Sequence, residues 1–184
     1  ARKTNYLTAL NPAALKGARI GVWMPNRGRS PQTDAAFEVA LKALEAQGAI
    51  LVQVKAPETS VQARVGALAG ECLRIEFKAA LDAYLASTPA AVTSRSLDAL
   101  IAFNRAEPRE MPLFAQEIFE AAAAKPPITD PAYLQKRAEA RMLARAALDG
   151  MLANDRLDAI VSPSNGPASI VDPVNGGNFF GSPS

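Results

Sequence analysis

The residues best placed to do chemistry follow one short apolar run. Leu157-Asp158-Ala159-Ile160-Val161 leads into Ser162, Pro163 and Ser164. A long stretch rich in Gly, Pro, Asn and Ser comes next, with Asn165, Asn175, Ser182 and Ser184 in it. Asparagine amides offer a donor and an acceptor together. Serine hydroxyls become nucleophiles only beside a base. The neighbours of these four serines are turn formers, so they read as turn and loop serines. The chain has no histidine, which rules out Ser-His-Asp and Cys-His catalysis within it, and the usual zinc-ligand sets. Cys72 is the only cysteine, so no internal disulfide can form, and its apolar helical setting reads as core. Glu76, with Lys78 and Asp82, is a polar position interleaved with a helical apolar pattern, and a structural ion pair suits it better than a role as acid or base. The turn Asn26-Arg27-Gly28-Arg29-Ser30 opens a helix whose free N–H groups can meet an anion, but its single glycine makes neither a dinucleotide fingerprint nor a phosphate loop.

These residues need elements to position them. Leu157–Val161 has the length and branching of a strand buried on both faces in a parallel sheet, and Pro163 stops it. In open α/β sheets ligands gather beyond the carboxyl ends of the strands, which is where Asn165 and Asn175 fall; the alternative is a surface loop built on turn chemistry. Residues 1–18 read as irregular, with a turn at Asn11-Pro12. Arg19–Met24 reads as a strand, and a helix capped by Ser30 with Pro31 at its first position and Phe37, Leu41 and Leu44 inward runs to Gly48. Residues 49–54 form the next strand, so the segment is a βαβ unit with parallel strands and a right-handed crossover.

From residue 58 to 155 the pattern is helical. Residues 60–87 carry Leu68, Cys72, Ile75, Ala79 and Ala83 on one face. Ser96 caps 97–105, a short helix covers 113–124, and Thr129-Asp130-Pro131 starts a helix over 132–152 with Tyr133, Leu134, Met142, Leu143, Ala147 and Leu148 inward. The fold expected is therefore α/β: a parallel or mixed sheet with strands near 19–24, 49–54 and 157–161, and a large helical layer inserted between strands. Residues 1–184 read as one α/β unit within a larger domain, and 58–155 as a helical excursion that is not independent.

A composition 49% hydrophobic and 21% charged is that of a folded chain rather than a disordered one. The net charge of +2 is spread among mixed signs, with no basic stripe to bind nucleic acid. No apolar run approaches the roughly 20 residues of a membrane span, and no secretory signal is visible at the start. The site needs no metal or cofactor on this reading.

The run LDAIVSPSNGPASIVDPVNGGNFFGSPS, with GECLRIEFKAALDAYLAS and LDALIAFNRAEPREMPLFAQEIFEAA upstream, resembles the amidase signature family, serine hydrolases that cleave carboxamides. Within it the chain looks most like the branch of bacterial peptide amidases and glutamyl-amidotransferase-like amidases. The resemblance covers nearly the whole chain. It implies a serine nucleophile, a second serine in a cis linkage and a lysine, all upstream of Ala1, since no GGSS-like run stands here. An internal piece of this kind is expected to be inactive alone. The resemblance further implies a small-molecule or peptide amide substrate, with Pro163, Asn165, Asn175 and Phe179 lining its cleft. Gly177 stands where the family often has an acidic residue, and Pro183 interrupts a serine-rich turn. The strands missing from the sheet imply self-association through exposed edges. A second reading stays open: a self-sufficient, non-enzymatic α/β module holding a small ligand at the Gly28 or Asn165 loop.

Overall fold

The computed structural model describes residues 5–112 and 115–164. Among them lie three strands and five helices. β1 (Arg19–Val22), α1 (Pro31–Ala46) and β2 (Ile50–Gln53) are followed by α2 (Thr59–Ala86), α3 (Leu97–Ala106), α4 (Glu117–Ala123), α5 (Pro131–Asn154) and β3 (Ala159–Val161). The three strands form one parallel sheet in the order β2-β1-β3, with Ile20 opposite both Leu51 and Ala159. The chain divides into two compact units: the segments up to Glu58 and from Ala146 onward make one, and Thr59–Arg145 makes the other.

In the first unit β1 is central and its residues Ile20, Gly21 and Val22 are buried. A parallel strand needs partners on both sides and cover on both faces to read as continuously apolar, and β1 alone among the described strands has the first. The expectation of a doubly buried strand at Leu157–Val161 is corrected here. Among the described residues β3 pairs with β1 only, its Ala159 is exposed, and Ile160 and Val161 are partly buried. It is also shorter than expected because Asp158 leaves the strand pattern. Its carboxylate accepts from the Arg19 N–H at 2.9 Å while its own N–H donates to the Arg19 carbonyl, also at 2.9 Å. The Arg19 guanidinium adds bonds to the Asp155 carbonyl at 3.0 and 3.2 Å. These contacts fix the register at the amino end of the β1–β3 pair.

Helix α1 follows its sequence signals. Ser30 Oγ accepts from the Thr33 N–H, Pro31 occupies the first turn, Leu41 is buried, and Gly48 takes φ +89° just past the end. The segment before β1, expected to be irregular, holds a turn of 3-10 helix at Tyr6–Ala9, started by the Asn5 side chain accepting from the Leu7 N–H.

In the second unit Leu97, Ile101 and Ala122 are buried together, with Phe77, Leu81, Phe119 and Ala123 packed against them. The Phe77 and Phe119 rings lie 5.7 Å apart, tilted by 34°. Asp82 carries the chain into α3 by accepting from the Leu97 N–H at 2.7 Å, and Ser96 caps the helix as expected. Lys78 Nζ donates to the Ala123 carbonyl at 2.6 Å, satisfying an otherwise open acceptor at the end of α4. Helix α4 starts at Glu117, later than the expected 113, and residues 113 and 114 lie outside the described set. The residue before it, Gln116, is buried and bonds Asn104 and the Ile101 carbonyl.

Helix α5 is capped by Asp130, whose carboxylate accepts from the N–H groups of Ala132 and Tyr133. The face expected to turn inward needs correction: Leu134, Met142 and Leu148 are exposed, at 49%, 61% and 48%. Tyr133 and Met151 are buried, and Ala140, Leu143, Ala144 and Ala147 are partly so. Small residues carry much of the true stripe, so large side chains alone misplaced it. After α5, Arg156 sits at φ +52° and the Leu157 N–H reaches back to the Leu152 carbonyl at 2.8 Å. A left-handed residue with a side chain costs stability that glycine does not. Arg156→Gly is expected to raise stability by about 0.5–1 kcal/mol, read as a higher Tm.

Candidate functional site

The sheet's carboxyl end brings together residues from two neighbouring strands. Past Val22, β1 runs into Trp23, and past Val161, β3 runs into Ser162 and Pro163. The Trp23 N–H donates to the Val161 carbonyl at 3.0 Å, carrying the ladder one bond past the last strand pair. On the other side the Val54 N–H donates to the Val22 carbonyl at 3.3 Å. Among the described residues Trp23 Nε1 and Ser162 Oγ are both buried and have no hydrogen-bond partner. A buried polar atom left unpaired costs about 1–3 kcal/mol, so two such atoms at one end of a sheet call for a functional account.

Of the cleft residues expected from sequence, Pro163 is half-buried directly after Ser162. Asn165, Asn175 and Phe179 lie outside the described residues, as do Ser182 and Ser184. Trp23 was missed by sequence reasoning. Its signal was there: an aromatic with a polar handle near the carboxyl end of a predicted parallel strand. Ser162 was read as a turn serine, and nothing near it in sequence marks it otherwise.

The Gly28 turn looks different once folded. The Gly28 N–H donates to Asp34 Oδ2 at 2.7 Å, and Arg27 pairs with Glu38 at 2.9 Å. The chain's own carboxylates thus take up groups that an anionic ligand would use, which removes the support for a ligand there.

Glu76 and Cys72 have structural surroundings. The Tyr133 hydroxyl donates to Glu76 Oε1 at 2.6 Å, and Arg137 stands 3.5 Å from the same oxygen. That hydrogen bond is the main reason the Tyr133 hydroxyl titrates above its ordinary range. Cys72 packs with Ile75 and Tyr133, and burial pushes its thiol up, with the Glu76 charge adding to the effect. A thiol held protonated is a poor nucleophile. Glu71 faces Lys125 at 3.0 Å, Arg74 at 3.7 Å and Lys136 at 3.8 Å, and the Lys125 hydrogen bond foremost draws its carboxyl below the usual range. A lowered carboxylate stabilises the fold above its unfolded pKa and loses that contribution as pH falls through the folded one. Among the described residues no group of three or more His, Cys, Asp or Glu is arranged to hold a metal. None of the described helices is long and apolar enough to cross a membrane.

An α/β fold with a small parallel sheet, a helix-rich insertion and a polar strand end, on a chain without histidine, is the class of architecture defined here. The Amidase family model matches residues 2–173, and the chain belongs to that family. Its fold is similar to a peptide amidase solved with the competitive inhibitor chymostatin, at TM-score 0.78 and 34% identity over 97% of this chain. The native peptide amidase from Stenotrophomonas maltophilia gives TM-score 0.70 and 35% identity over 89% of the chain. An amidase family protein from Bacillus anthracis, at 24% identity and TM-score 0.61 over 88% of the chain, shares the fold. The chain spans about a third of those solved chains, 36%, 33% and 31% respectively. No curated protein sequence is significantly similar to it.

Proposed function

We propose that this chain is part of an amide hydrolase, to which it contributes the β2-β1-β3 sheet, the helical segment and one wall of the substrate cleft. The Amidase match over residues 2–173 carries this reading. The lack of histidine agrees with it, since a serine activated through a lysine needs none. The nucleophile and its base belong to other parts of the same polypeptide, and segment 58–155 depends on the rest of that domain for its stability. The substrate is a carboxamide, on a small molecule or a peptide, and the reaction releases ammonia. The 184-residue chain alone is expected to release none from a panel of carboxamides, because catalytic residues that act as a unit lose nearly everything together. Turnover above a buffer blank, abolished by replacing a serine of this chain, would overturn the assignment.

Pro163, Asn165, Asn175 and Phe179 are our candidates for the cleft wall. In the complete enzyme Asn165→Ala or Asn175→Ala should lower kcat/KM several-fold, the worth of about 1 kcal/mol in one hydrogen bond. A lowered Tm with kcat/KM per folded molecule unchanged would mean that the asparagine only holds its turn. The sheet edges lead us to expect self-association of the isolated chain. Sedimentation that stays monomeric as concentration rises would contradict this.

A further inference from the structure

Helix α2 is apolar on two sides. On one, Cys72 and Ile75 are buried with Tyr133 of α5. On the other, Ala69, Leu73, Ala80 and Tyr84 recur at helical spacing and are exposed, Leu73 at 66% and Tyr84 at 65%. The polar side chains of the helix are engaged by neighbours within the helical unit. Arg64 pairs with Glu139 at 2.8 Å, Glu71 with Lys125 at 3.0 Å, and Glu76, at the margin of the exposed line, with Tyr133 at 2.6 Å. Lys78 holds the Ala123 carbonyl and Asp82 the Leu97 N–H. A surface helix carries its charges outward, whereas a helix apolar on both sides belongs in an interior.

We propose that the exposed face of α2, from Ala69 to Tyr84, is covered by an apolar segment of the same polypeptide lying outside these 184 residues. This rests on the reading of the chain as part of a larger hydrolase, and adds which surface the remainder occupies. The peptide amidase that aligns with 97% of this chain is itself covered for 36%, so the larger part of such a polypeptide lies elsewhere. That part is joined covalently and meets the face at an effective concentration that a free second copy does not reach. Ala69 and Ala80 leave room for close approach, while Leu73 and Tyr84 supply most of the apolar area to be buried. The segment is uncharged where it meets Leu73, since an unpaired charge there would be buried at high cost.

Hydroxyl-radical footprinting of the protein encoded by the whole reading frame reads this face without any substitution. Each residue's rate is compared with its rate in the same protein unfolded in urea. Leu73 and Tyr84 should be protected as strongly as the buried Leu68 and Leu97, and dilution should not change this. In the 184-residue chain both should react freely while Leu68 stays protected. Leu73→Glu should lower the Tm of the whole protein by several degrees, and Leu73→Met should leave it nearly unchanged. If Leu73→Glu does not fold, the footprint of the unaltered whole protein decides. Free reaction of Leu73 and Tyr84 in the whole protein overturns the proposal, as does a Leu73→Glu variant with unchanged Tm. Protection that fades on dilution gives the face to a second copy, and equal protection in the 184-residue chain gives it to this chain's own residues; either overturns it. Ammonia release is read separately. A protected face in a protein releasing none would stand while the hydrolase reading fell, and release with both residues reactive would remove this proposal alone.

Discussion

Leu97→Ala is expected to destabilise the helical unit by about 2–5 kcal/mol, the range for emptying a well-packed core site. Leu97 is fully buried, at 0% exposure, between Ile101 and Ala122, with Phe77, Leu81 and Phe119 packed against the cluster. The cost should fall in the upper part of that range, because the site is hemmed in by aromatic rings and by a backbone tied to Asp82. The Leu97 N–H bond to Asp82 survives the substitution, so the loss measures packing rather than capping. Urea unfolding reads it as a shift in midpoint at constant slope. A loss below about 1 kcal/mol would mean that the cluster collapses around the gap and is not a rigid core.

Gly21→Val is the second large effect. A Cβ at Gly21 would stand 2.6 Å from Leu157 Cδ1, 2.8 Å from Val54 Cγ1 and 3.3 Å from Ile160 Cγ1. The leucine tip can swing aside. Val54 is stiff at χ1, and the two further methyl groups of valine have nowhere to go. Overpacking costs typically about 1–3 kcal/mol, and sometimes more; here we expect at least about 3 kcal/mol, with loss of the β1–β3 pairing seen by hydrogen exchange. Gly66→Ala is the natural contrast. Gly66 lies within α2 with nothing within 4 Å of an added Cβ, so the change should stabilise by up to about 1 kcal/mol. If both substitutions behaved alike, the close approach at Gly21 would not be what sets the sheet.

Much of this fold was legible in the sequence for identifiable reasons. Ser30 and Pro31, Ser96, and Asp130 before Pro131 are local signals that act through bonds within a few residues, and each starts a helix in the structure. Strand β1 was legible because Ile20, Gly21 and Val22 are buried in succession, and a strand covered on both faces reads as a continuous apolar run. The burial of β3 was not, because a short apolar run reads the same at a sheet edge as at its centre. The inward face of α5 was hidden by alanines, which carry little hydrophobic signal of their own. Gln116 was missed because a polar residue is buried only when distant groups satisfy it, here Asn104 and the Ile101 carbonyl. The pairing of Trp23 with Ser162 required the register, since 139 residues separate Arg19 from Asp158, the contact that fixes it. Pro163 could be followed from sequence into structure, whereas Asn165, Asn175 and Phe179 rest on the family resemblance.

Ammonia release tests the central claim most directly. The polypeptide encoded by the whole reading frame around this segment should release ammonia and the matching acid, one for one, from a carboxamide such as an N-acylated amino-acid amide. The 184-residue chain should stay at the buffer blank under the same conditions. A correctly folded full-length protein that releases no ammonia from any carboxamide would contradict the account, and so would a 184-residue chain that turns over alone.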